Sequence, residues 1–89
     1  MKWRVDFSSA ALKFISRNNL TKEGILEKVA DALRKFRGEE ANIDIRKLSG
    51  AWAGFYRIRV GSLRIIVAFN FYERRAFIDR VDWRGNAYK

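Results

Sequence analysis

Apolar and polar positions recur with two different periods along this 89-residue chain, and the change of period marks out its elements. KWRVDF, residues 2–7, alternates cleanly, placing Trp3, Val5 and Phe7 on one face of a first strand. From Ser8 or Ser9 the period lengthens to that of a helix, which runs to about Asn18. Leu20 and Thr21 then introduce a second helix over roughly residues 22–37, with Thr21 as its N-cap. Ile25, Leu26, Val29, Leu33 and Phe36 form its apolar stripe, and Gly38 stops it. Beyond the acidic residues Glu39 and Glu40, alternation returns in a short extended segment from Ile43 to Leu48. Longer strands follow at about 53–60, 63–71 and 75–83. The order β-α-α-β-β-β predicts an α+β fold: an N-terminal strand, a two-helix hairpin, and an antiparallel meander whose sheet buries the helices' apolar stripes.

The stretch FYRIRVGSLRIIVAF, residues 55–69, fixes the register of the central hairpin. If Gly61-Ser62 is a two-residue loop, Val60 pairs with Leu63 and Arg59 lies opposite Arg64. Tyr56, Ile58, Val60, Leu63, Ile65, Val67, Phe69 and Phe71 then share the core face. Arg57, Arg59, Arg64, Ile66, Ala68 and Asn70 share the other. Like charges placed directly opposite each other destabilise a sheet, so three arginines on one side of an otherwise apolar hairpin require a reason. The final strand has no settled parity, because either register turns Asp79 or Arg80 toward the core.

Composition narrows the chemistry. The chain has the size of one domain, 1–89, with one core. Cysteine and histidine are both absent, so thiolate chemistry, disulfides, imidazole catalysis and the usual zinc ligands are excluded. No apolar run approaches membrane-spanning length and the first residues lack a signal-peptide block, so a cytoplasmic protein is expected. The net charge of +9 is uneven: residues 1–45 hold nine Lys/Arg against seven Asp/Glu, residues 46–89 ten against three. A positive field concentrated in one half points to a polyanionic partner, either nucleic acid or an acidic protein segment.

Arg57, Arg59 and Arg64, with Arg84 and Tyr88 just beyond the last strand, make a plausible phosphate clamp, since guanidinium groups offer planar forked donors. The plainer reading is that each arginine pairs with a carboxylate or solvates an exposed face. Trp52, Trp83 and Tyr88 could stack on bases, although Trp3 and Trp52 fit packing roles better. Glu39, Glu40 and Asp44 form no metal-binding pattern; no metal and no cofactor are expected.

In combination, IRKLSG (45–50), FYRIRVGSLRIIVAF (55–69) and the closing WRGNAYK (83–89) resemble the RelE/ParE superfamily of toxins from type II toxin–antitoxin systems, closest to the RelE-like mRNA interferases. That family shows a Lys-Leu-x-Gly step, a Tyr-Arg-x-Arg-x-Gly hairpin with a further arginine, and a final Arg-x-x-x-Tyr. The resemblance implies a ribosome-dependent endoribonuclease that cuts mRNA in the ribosomal A site, in contact with ribosomal RNA, and is inhibited by a cognate antitoxin. It implies catalytic roles for Arg64, Arg84 and Tyr88, and RNA-binding roles for Arg57, Arg59, Lys47 and Trp83. This chain departs from the pattern at Trp83, where many relatives have histidine, and at Asp82, near a RelE basic position. A ParE-like toxin that inhibits DNA gyrase by binding, or a non-catalytic RNA-binding module, is the alternative.

The implied chemistry suits a site without histidine or metal. RNA carries its own nucleophile, the 2′-hydroxyl, so cleavage depends on positioning and on stabilising charge that develops at the phosphate. The expected products are a 2′,3′-cyclic phosphate and a 5′-hydroxyl, and DNA should resist.

Overall fold

A computed structural model describes residues 2–83. Strand β1 (Arg4–Phe7) leads into α1 (Ser9–Arg17) and α2 (Lys22–Phe36). The meander β2 (Asp44–Lys47), β3 (Phe55–Val60), β4 (Leu63–Asn70) and β5 (Arg75–Trp83) follows, with a 3-10 turn at Gly50–Trp52. The α+β order expected from the periodicity is the one observed.

Both helices start on the hydroxyls that the sequence offers. The Ser8 side chain accepts a hydrogen bond from the Ala11 amide and that of Thr21 from the Gly24 amide, satisfying amides the first turn cannot pair internally. Gly38 follows α2 with φ of 83°, the left-handed conformation that ends a helix most cheaply at glycine.

The sheet has five strands in the order β1-β5-β4-β3-β2. The meander is antiparallel throughout, while β1 joins the far edge parallel to β5, a pairing the local pattern does not reveal. Ala11 and Ile15 from α1 and Ile25, Val29, Ala32 and Leu33 from α2 meet Ile58, Leu63, Ile65, Val67, Ala76, Ile78 and Val81 in one core. Phe36 closes one end by packing edge-on against Tyr56, Phe69 and Phe71.

The parity of β5 is resolved by a bulge. Ile66 pairs with Arg80 but Val67 with Ile78, so Asp79 is the extra residue. Ala76 and Ile78 are buried before it and Val81 after it. The slip lets one strand change phase, so the core takes apolar residues on both sides of the bulge. The carbonyl of Asp79 accepts the Ser8 hydroxyl at 2.6 Å and that of Ile78 accepts the Ser8 amide at 2.9 Å. The start of α1 is thereby tied to the bulge.

Candidate nucleic-acid interface

The two-residue loop forms as the hairpin predicts, with Gly61 at φ of 59°, Val60 paired with Leu63 and Arg59 with Arg64. Register then builds two rows across the face turned away from the helices. One runs Asp44, Arg59, Arg64, Asp82 over strands β2 to β5; the next runs Arg46, Arg57, Ile66, Arg80. In the first row each arginine has an aspartate as its outer cross-strand neighbour. That order offsets the repulsion of the central Arg59–Arg64 pair.

Asp44 is the centre of the electrostatics. Its Oδ1 accepts from Arg57 Nη2 at 2.8 Å, and its Oδ2 lies 2.6 Å from Arg59 Nε in an ion pair. The Arg57 side chain is only 12% exposed, against 50% for Arg59, and Arg57 Nε is enclosed with no partner. Of the two pairing arginines, one is therefore nearly enclosed and the other presents its head to solvent. Arg64 instead donates from Nη1 to the carbonyls of Gly61 and Leu63 at 2.8 and 3.1 Å, which bends its guanidinium back over the hairpin loop. Asp82, opposite it in register, accepts the Trp83 amide at 2.7 Å.

The outward face is not uniformly polar. Ile66 is fully buried there, in register between Arg57 and Arg80. The Arg80 guanidinium stacks 5.6 Å from the Trp52 ring centre, and Trp52 meets Phe55 edge-on. Trp52 thus has the packing role its position suggested, but on the arginine side of the sheet.

The structure brings Arg57, Arg59 and Arg64 together and leaves two other expected residues apart from them. Lys47 pairs with Tyr56, so it lies on the helix-facing side at the end of β2, and Arg46 holds the position beside Arg57. Trp83 packs edge-on against Phe14 of α1, 5.4 Å between ring centres, and donates from Nε1 to Asn18 at 3.2 Å. Its ring therefore points to the helical side, because the bulge puts Trp83 in phase with Val81. Arg84 and Tyr88 lie outside the described residues.

Arg46 and Arg80 are additions to the arginine face. The first was readable from the alternation of Ile43 and Ile45, which turns Arg46 outward with Asp44. The second depends on the bulge, for which the sequence carries only the clash of Asp79 and Arg80. Asp44, to which the sequence assigns no metal-binding pattern, opens β2 and supplies the counter-charge of the site.

The sequence matches no family model, and no curated protein matches it. Solved structures share the fold across nearly the full chain. A chain of the archaeal RelE–RelB complex from Pyrococcus horikoshii is 26% identical with a TM-score of 0.65, covering 98% of this chain and 100% of that one. A chain of the toxin–antitoxin complex RelBE2 from Mycobacterium tuberculosis is 20% identical, TM-score 0.61, over 94% and 100%. One from the YoeB–YefM complex of Staphylococcus aureus is 16% identical, TM-score 0.60, over 94% and 99%. This chain has the fold of the RelE-like toxins of toxin–antitoxin systems, as its combined motifs implied.

Proposed function

We propose that this protein is the toxin of a toxin–antitoxin pair and cleaves mRNA on the ribosome as a metal-independent endoribonuclease. The observation that carries this reading is the direct cross-strand pairing of Arg59 and Arg64 on the face turned away from the helices, within a chain of net charge +9. Arg59 and Arg64, on adjacent strands, lie about 5 Å apart at their backbones, so two forked phosphate donors start from one place on this face.

In this reaction the 2′-hydroxyl gives up its proton to water as its oxygen attacks the adjacent phosphorus, the P–O5′ bond breaks, and the departing 5′-oxygen takes a proton from water, so that no net proton is consumed. Arg64 stabilises the charge that builds on the non-bridging oxygens. Arg59 holds the backbone. Tyr88 stacks on or orients the scissile nucleotide and Arg84 adds positive charge, the roles that family resemblance implies. The cognate antitoxin is an acidic or amphipathic segment that engages the same positive protein, as the RelE–RelB and YoeB–YefM pairings of the related structures suggest.

Purified protein added to programmed ribosomes, with mapping of mRNA ends, tests the reading. Wild type should cut, and Arg64→Ala should reduce the rate by about 100-fold or more, the scale of losing one charge-stabilising donor. Intact mRNA together with inhibited gyrase supercoiling would establish the ParE-like alternative instead.

A further inference from the structure

The paired basic residues of the hairpin, Arg57 and Arg59, are equivalent in sequence but not in structure. Arg57 sits under the sheet's outer surface with 12% of its side chain exposed, in register with the fully buried Ile66. An enclosed guanidinium needs a counter-charge, and the only carboxylate paired with it among the described residues is Asp44, at 2.8 Å. That carboxylate spends one oxygen on Arg57 and the other on Arg59, at 2.6 Å. Because it meets Arg59 at Nε, the opposite edge of that guanidinium, formed by its two Nη groups, stays available for a forked contact with phosphate.

We propose that Asp44 is a positioning residue: anchored by the enclosed Arg57, it holds the Nε edge of Arg59 and aims the remaining edge at an RNA phosphate. Arg57 then acts through Asp44 and does not touch RNA, whereas Arg59 does. This division of labour rests on the ribonuclease reading above. It also accounts for an acidic residue at the edge of a cationic face. Without Asp44 the exposed Arg59 head would sample many rotamers, and ordering it on the substrate would cost entropy at each turnover.

The test is the single-turnover cleavage rate on programmed ribosomes at saturating toxin. Asp44→Asn should slow cleavage about 10-fold in the wild-type background and less than about 2-fold in an Arg59→Ala background, the non-additivity expected when one residue acts through the other. The double variant Asp44→Asn/Arg57→Met removes the enclosed cation along with its partner. It should recover the thermal midpoint lost by Asp44→Asn yet keep the slow rate, separating folding from aiming. Faster cleavage by Asp44→Asn would make Asp44 a competitor of phosphate and overturn the proposal. An equal loss with and without Arg59, or recovery of rate in step with the thermal midpoint, would reduce Asp44 to a structural counter-ion and overturn it too. Absence of cleavage by the wild type would fail the ribonuclease reading itself, an outcome distinct from either of these.

Discussion

On the helix-facing side of the sheet, Ile58, Ile65, Val67 and Ile78 are fully enclosed and touch other apolar side chains. On the opposite side a single isoleucine, Ile66, is equally enclosed, but its cross-strand neighbours are Arg57 and Arg80. The strands supply both faces by the same alternation. The first is held by burial that depends only on each residue being apolar, while the second is held by the order in which charges meet across strands. Asp44, Arg59, Arg64 and Asp82 form a row whose outer members are acidic. Shifting β2 by one residue would replace Asp44 with Ile43 or Ile45 beside Arg59 and leave the arginines repelling each other.

Truncation of one isoleucine on each face gives the largest expected contrast. Ile65→Ala should lose about 3–4 kcal/mol, since it opens a cavity among residues that cannot rearrange freely. Ile66→Ala should lose about 2 kcal/mol, because the stems of its cross-strand neighbours Arg57 and Arg80 can close over the gap or admit water. Denaturant midpoints at constant m would measure both. The reverse order would show that the outward face is packed as tightly as the core.

A smaller effect is expected where the faces are joined. Ser8→Ala removes the cap of α1 and its hydrogen bond to the bulge carbonyl of Asp79, and should cost about 1–2 kcal/mol. Hydrogen exchange at the amides flanking the bulge should rise with it. Unchanged exchange there would mean that the bulge holds its phase without help from α1.

The smallest effect separates Trp83 from the arginines. Trp83→Phe keeps the ring against Phe14 and loses only the partly exposed hydrogen bond to Asn18, so stability should fall by about 0.5–1 kcal/mol. Its mRNA cleavage should stay within about 2-fold of wild type, since the ring faces α1. A drop comparable to that of Arg64→Ala would return Trp83 to the RNA-binding set.

These contrasts also show which parts of the molecule could be read in advance. The element order and the register of the hairpin follow from period and from Gly61-Ser62, because a two-residue loop leaves one pairing. The parallel seat of β1 beside β5 and the bulge at Asp79 are long-range outcomes, encoded by no local period. The same limit applies to the site. Alternation places Arg57, Arg59 and Arg64 together, but the partner that distinguishes Arg57 from Arg59 lies on β2 and is recognisable only once its register is known. Lys47 and Arg46 exchange places for the same reason, one residue of phase on a four-residue strand.

In the proposed function this cationic face cleaves RNA through the substrate's own 2′-hydroxyl. A ribosome programmed with mRNA carrying one 2′-deoxy nucleotide on the 5′ side of the mapped scissile phosphate tests it directly. Cleavage at that phosphate should disappear while unmodified mRNA yields a 2′,3′-cyclic phosphate and a 5′-hydroxyl. Cleavage that persists at the deoxy position would contradict attack by the 2′-hydroxyl.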